Sequence, residues 1–236
     1  MIELAVIDLA GTLVRDDGAV EGAFLDALRA VERIGDEEPD SHLLDVVRGA
    51  MGRSKIVVFR ELLPEERLAQ AANAAFEAAY ARRIEAGETA ALPTAEEALD
   101  RLREAGVRIA VTTGFSVETL DALLESLGWA GAVDLALSPT DRLRGRPAPD
   151  LVLAAVLGLQ IDDVRHVAVA GDTTNDLYSG TRAGAGIVAG VLSGAHPREA
   201  LESAPHTHIL DTVGAFAELV CETRDLARVR EAAATT

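Results

Sequence analysis

The sequence predicts an α/β protein with a doubly wound, Rossmann-like parallel sheet, and two observations carry that reading. First, short apolar runs end on acidic residues: Leu4, Ala5, Val6 and Ile7 deliver Asp8, and Val167, Ala168, Val169 and Ala170 lead through Gly171 to Asp172. An unbroken apolar run is what a strand covered on both faces looks like, and in open α/β sheets ligands bind just beyond the carboxyl ends of such strands. Second, beyond residue 87 helical and strand patterns alternate, which sets parallel strands side by side with helices on both faces.

The first strand leads into Gly11 and Thr12. Ala19, Phe24, Leu25, Leu28 and Val31 then mark one apolar helix face, followed by an acidic loop from Gly35 to Asp40. Helical patterning resumes at residues 43–47 and 57–63, and a long Ala-rich helix is expected over residues 65–86. This stretch contains no convincing strand. Residues 15–87 therefore read as an all-helical insertion into a core made of residues 1–14 and 88–236. In the core, Thr94 precedes an amphipathic helix to Ala105, and further helices are expected at 117–127, 149–157, 175–183, 197–203 and 212–222. Strands are expected at 107–111, 132–137, 166–170, 186–191 and 208–210, and the Ala-rich end at 231–236 is expected to fray.

At 236 residues the chain fits one core domain carrying a smaller insertion. With 22 Lys plus Arg against 39 Asp plus Glu, the net charge of −17 repels nucleic acid and anionic membrane surfaces. A small anionic substrate is compatible with that charge only where a bound cation and converging Lys or Arg residues reverse the local potential. The single cysteine, Cys221, forms no intramolecular disulfide and suits a reducing compartment. No segment approaches the roughly 18 apolar residues of a membrane span, and no basic-then-apolar leader is seen, so the expected location is cytoplasmic.

Asp8 and Asp172, each at a strand end, suit a hard divalent cation such as Mg²⁺, with a backbone carbonyl (that of Ala10) completing an open site and Asp176 orienting ligands from behind. Read one at a time, Asp8 serves equally to start a turn with Gly11, and Asp172 and Asp176 to cap a helix. A third strand ends at Thr112, Thr113 and Gly114. Thr113 suits a phosphoryl oxygen, with neighbouring amides at a helix start binding the same group, or it simply caps the helix. Arg146, ahead of a helix whose first turn holds Pro149, is placed to neutralise an anion or to lie in solvent.

Taken together and in this order, these segments resemble the haloacid dehalogenase superfamily of Asp-nucleophile phosphohydrolases, over essentially the whole chain. The resemblance implies that Asp8 attacks, Thr113 and Arg146 hold the anion, and Asp172 with Asp176 secures Mg²⁺. It also implies a strand order of 5-4-1-2-3 and a mobile helical cap over residues 15–87. Phosphatases of the superfamily carry a second Asp two residues after the nucleophile, as general acid; here that position is Ala10. General acid help is worth about 10² to 10⁴ in rate, so its loss points to a leaving group that does without it.

Asp8-Leu9-Ala10-Gly11-Thr12, Thr112-Thr113-Gly114 and Arg146-Pro147 are similar to the motifs of the phosphonoacetaldehyde hydrolases. Met51-Gly52-Arg53-Ser54-Lys55 is similar to the segment in which that family's Lys forms a Schiff base with the substrate aldehyde. The resemblance makes Lys55 catalytic and sets Thr12, Met51, Gly52 and Gly114 around the substrate. An iminium on Lys55 is an electron sink, so cleavage of a C–P bond leaves an enamine and needs no alkoxide acid. The chain departs from that family at Val58, where it has His, and at Phe115, where it has Tyr. The alternatives are a small-organophosphate phosphatase, in which Lys55 only contacts the anion, and a catalytically weak phosphate-binding relative. The expected partner is a small phosphonate or phosphate, with the chain a monomer or homodimer.

Overall fold

A computed structural model describes residues 1–35 and 41–234. Six parallel strands form one sheet in the order β3-β2-β1-β4-β5-β6. They are β1 (Leu4–Asp8), β2 (Arg108–Thr112), β3 (Leu135–Leu137), β4 (Val167–Gly171), β5 (Ile187–Val191) and β6 (His208–Leu210). The implied order 5-4-1-2-3 is present, with β6 added at the β5 edge.

Alternation along the strands explains how both faces are buried. Ala5, Ile7, Ile109, Val111, Ala168 and Ala170 pack on one side with the helices α5 (Ala95–Glu104) and α10 (Val213–Ala234). Leu4, Val6, Ala110, Val167 and Val169 pack on the other with α7 (Asp150–Gly158), and α8 (Thr174–Ala183) lies against β4 and β5. With both surfaces covered, no polar alternation is required, hence the apolar runs in the sequence. The remaining core helices are α6 (Val117–Ser126) and α9 (Arg198–Glu202).

Between β1 and α5 come α1 (Ala19–Ala30), α2 (Ser41–Gly49), α3 (Lys55–Leu62) and α4 (Glu66–Glu85). They pack mainly on one another, α1 on α4, α3 on α4 and α2 on α1. Phe24, Phe59, Phe76 and Tyr80 are fully buried, with ring centroids 4.8 Å apart for Phe24–Phe59 and 5.1 Å for Phe24–Phe76. The cluster continues into the core, since Phe115 lies 4.6 Å from Tyr80 and 6.2 Å from Phe76. Ser116 caps α6 and donates its hydroxyl to Glu77 of α4 at 2.8 Å, a polar link across the same junction.

Three elements differ from the sequence reading. The strand expected over 132–137 begins only at Leu135, because Ala132 closes a turn onto the Trp129 carbonyl. Asp134 then satisfies Ile109 with both its backbone and its side chain. α3 starts at Lys55, ahead of the expected residue 57, so Lys55 sits in a helical first turn. α10 runs on to Ala234, well past the expected residue 222, so the Ala-rich end is helical as far as that residue. Thr235, Thr236 and most of the expected acidic loop, residues 36–40, lie outside the described residues. No helix among the described residues is long and apolar enough to cross a membrane.

Phe76 touches Phe24, Phe59, Tyr80 and Phe115, so its removal opens a cavity where the helical segment meets the core. Phe76→Ala is expected to cost about 3–5 kcal/mol. An unfolding free energy from denaturant titration that falls by less than about 1 kcal/mol would show that the cluster repacks at little cost.

Candidate active site

Sheet topology brings the strand ends together. β1 lies between β2 and β4, with Asp8 level with Thr112 in register, so the residues that follow the three strands share one rim. Asp8, Asp172 and Asp176 converge there, each buried, with carboxylate oxygens within 4.8 Å of one another. One side chain counters them. Arg146, 4% exposed, directs Nη1 to Oδ1 of both Asp8 and Asp176.

Three buried carboxylates against one guanidinium leave an excess of negative charge. Burial pushes Asp8 up to about 6, although the Arg146 charge opposes the rise. Burial, with the charges of Asp8 and Asp176, raises Asp172 well above the usual carboxylate range. For Arg146, burial works against the charge, but Asp176 and Asp8 outweigh it and strengthen protonation. The donors are hard oxygens in a compact group, the chemistry that suits a small divalent cation.

Each carboxylate is held by its own contacts. Asp172 accepts from the Ala195 N–H at 2.7 Å and from the Thr12 hydroxyl at 3.3 Å. Asp176, in the first turn of α8, accepts from the Thr173 N–H at 3.1 Å and hydroxyl at 2.5 Å. The helix-capping alternative and the site are thus the same arrangement, since one oxygen of Asp176 serves the helix start and the other faces Arg146. Thr12 stands apart from the other expected substrate contacts. Its hydroxyl is spent on Asp172 and it does not line the cavity. Thr113 is buried on the rim and accepts from the Phe115 N–H at 3.2 Å, so its hydroxyl hydrogen is available to a ligand.

Lys55 reaches the same space from the helical segment. It is 4% exposed, and Nζ lies 5.1 Å from the Phe115 ring centroid and 5.7 Å from those of Phe24 and Phe76. Its hydrogen-bond partner is the Arg53 carbonyl at 3.5 Å. Burial, helped by the Arg146 charge, lowers its pKa to about 8. At pH 7 about one lysine in ten is then the neutral amine, against a negligible fraction for an exposed lysine.

The loop before α3 closes onto the rim. The Met51 carbonyl accepts from Asn175 Nδ2 at 2.8 Å, and the Lys55 N–H donates to the Gly114 carbonyl at 3.3 Å. Two glycines make this approach fit. Gly52 has φ +76°, and a Cβ there would press on Thr173 Oγ1; a Cβ on Gly114 would collide with the Arg53 carbonyl. Asp8, Ala10, Met51, Gly52, Lys55, Thr113, Gly114, Arg146 and Asp172 thereby line one cavity of about 20 Å³, room for one or two waters.

Four contributors were missed in the sequence. Asp16 lines the cavity, Asn175 clasps the Met51 carbonyl, and Phe24 and Phe76 surround Nζ. Asp16 follows the first strand where no motif marks it, Phe24 read as part of an apolar helix face, and Phe76 lay unmarked within the Ala-rich helix. Only the fold shows that they meet.

Comparison with known proteins agrees with this architecture. The profile of the haloacid dehalogenase-like hydrolases matches residues 2–184, and the chain belongs to that family; it is a hydrolase of the superfamily. It is 29% identical over 224 residues, 93% of each chain, to the Dickeya dadantii protein named "Probable phosphatase IndB". It is 30% identical over 209 residues to phosphonoacetaldehyde hydrolase of Pseudomonas putida, covering 82% of this chain and 74% of that one. In fold it is similar to a phosphonoacetaldehyde hydrolase-like protein of Oleispira antarctica, with a TM-score of 0.78, 20% identity and coverage of 95% and 93%.

The charge imbalance has a measurable consequence without any substrate. A carboxylate whose folded pKa is raised favours the fold below its unfolded value, and that contribution is lost as pH rises through the folded pKa. With Asp8 near 6 against an ordinary 3.8, the metal-free protein is expected to lose thermal stability as pH rises from about 4 to 6. Mg²⁺ is expected to restore much of it at neutral pH. Melting curves with chelator that stay flat across this window, and that ignore added Mg²⁺, would refute the charge excess.

Proposed function

We propose that this chain is a Mg²⁺-dependent hydrolase that cleaves the C–P bond of a small carbonyl phosphonate such as phosphonoacetaldehyde. The observation that carries the reading is Lys55: a buried amine with a lowered pKa, without a carboxylate partner in an ion pair among the described residues, in the same cavity as Asp8, Thr113 and Arg146. The relative from Pseudomonas putida is named for that reaction, and the motif around Lys55 supports carrying it over.

In this reading the neutral Lys55 amine adds to the substrate carbonyl and loses water to give an iminium. Asp8 then attacks phosphorus, the C–P electron pair flows into the iminium, and an enamine leaves. Thr113 donates to the phosphoryl group, while Arg146 balances its charge and aligns Asp8. Mg²⁺ would be held by Asp8, Asp172 and the Ala10 carbonyl, with Asp176 behind, and would neutralise charge on the phosphoryl oxygens. Water finally releases phosphate from Asp8. Ala10 fits because an enamine departs without a proton from that position.

The helical segment 15–87 is proposed as a cap over the core of 1–14 and 88–236. A space of about 20 Å³ is too small for a phosphonate, so substrate requires the contacts of residues 51–55 with the rim to open. Met51, Gly52 and Gly114 then close around it. A phosphatase reading is favoured by one finding, the name of the Dickeya relative that matches 93% of this chain. There Lys55 serves only as a contact for the anion.

Borohydride added during turnover of phosphonoacetaldehyde is expected to fix the substrate carbons on Lys55, detected by peptide mass, and Lys55→Arg is expected to abolish phosphonate cleavage. If Lys55→Arg retains the activity with no adduct in the wild type, Lys55 is an anion contact and the phosphatase reading stands.

A further inference from the structure

Forming and hydrolysing an imine needs a group that gives and takes a proton beside the amine. Around Lys55 Nζ stand the Arg53 carbonyl and the Phe24, Phe76 and Phe115 rings, none of which can give and take a proton, and Val58, one turn along α3, is apolar and buried. Asp8 and Asp172 belong to the charge cluster, and the Thr113 hydroxyl is too weak an acid. One further titratable side chain lines the cavity: Asp16, in the segment leaving β1 for α1. It is half-buried, and its Oδ1 accepts from the Val20 N–H at 2.8 Å, which aims the carboxylate.

Among the described residues Asp16 forms no ion pair, yet it is the carboxylate that most favours the charged form of Lys55. Both side chains line the one cavity without pairing, which leaves an amine and an acid free to work on the same bound carbonyl. We propose that Asp16 is the acid–base residue for imine formation and hydrolysis on Lys55, an inference that rests on the phosphonate reading above.

The step balances without a further reagent. Lys55 Nζ bonds to the carbonyl carbon, and its proton passes to the alkoxide, giving a carbinolamine. Asp16 in its acid form protonates the carbinolamine hydroxyl; the C–O bond breaks, water leaves, the nitrogen lone pair closes the C=N bond, and Asp16 is left as carboxylate. The enamine left by C–P cleavage takes a proton from solvent on its carbon and becomes the product iminium. When water adds to it, the Asp16 carboxylate takes the proton the water loses and returns to the acid, and the carbinolamine releases the Lys55 amine as its hydroxyl proton passes to nitrogen. Burial raises the Asp16 carboxyl above its ordinary range, as the acid form requires. The titratable groups that act on it are Lys55 from α3, Asp17 beside it and Tyr80 from α4, whose buried hydroxyl has no hydrogen-bond partner among the described residues.

The test is the rate at which borohydride-trappable adduct forms on Lys55 with phosphonoacetaldehyde, by rapid quench. Asp16→Asn keeps an oxygen for the Val20 N–H, so the start of α1 is preserved, and it is expected to slow adduct formation about 10²- to 10⁴-fold. Asp16→Ala is expected to show the same defect, partly restored by added formate, a rescue that a structural role does not give. Wild-type adduct rates in Asp16→Asn overturn the proposal while leaving the Lys55 reading intact. No adduct in the wild-type enzyme at any pH overturns both.

Discussion

The charge balance among Asp8, Asp172, Asp176 and Arg146 is the constraint on which the rest of the site depends. Removing a carboxylate from water is costly unless a cation or hydrogen bonds replace the lost hydration, and here three are removed together. Arg146 covers part of the debt by reaching Asp8 and Asp176 at once, and backbone and hydroxyl donors hold Asp172 and the far side of Asp176. What remains uncompensated shows as the upward shifts of Asp8 and Asp172. Such a compact group of buried carboxylates has the chemistry to hold a small divalent cation, whose charge would offset the excess.

The parallel sheet makes this possible at low cost to the core. The central strands β1 and β4 are buried throughout and carry no polar side chain before their carboxyl ends, so at the centre of the sheet charge appears on the rim. The helical segment brings the opposite chemistry, an amine among aromatic rings, and among the described residues the junction rests on aromatic packing, the Ser116–Glu77 hydrogen bond and close backbone contacts, without ion pairs. Gly52, Gly114 and the Asn175–Met51 hydrogen bond hold the two surfaces together over a space that must widen for a ligand. In the proposed cap movement, closing would dry the anion and the amine together, which strengthens every charge interaction inside.

Much of this was legible in the sequence, because the strand-end residues are marked twice, by the apolar run before them and by the turn chemistry after. Asp8, Thr113 and Asp172 each follow such a run, and the strand order followed from the family resemblance those segments carry. Lys55 was legible as part of a motif, though its placement in the first turn of α3 was not. Asp16, Asn175 and Phe76 escaped because nothing local distinguishes a cavity-lining Asp, Asn or Phe from one that caps a turn or packs a helix. The length of α10 escaped as well, since its polar continuation past residue 222 carries no apolar stripe to announce it.

The account turns on an excess of buried negative charge that a divalent cation relieves, and Asp172→Asn tests it most directly. Asparagine keeps the size of the side chain and an oxygen for the Ala195 N–H while removing one charge. Melting temperature and calorimetric Mg²⁺ binding would be measured at pH 7 for this variant and the wild type. The account predicts that the metal-free variant melts above the metal-free wild type and that its Mg²⁺ binding is lost. A variant that melts lower without metal, and binds Mg²⁺ as the wild type does, would contradict it.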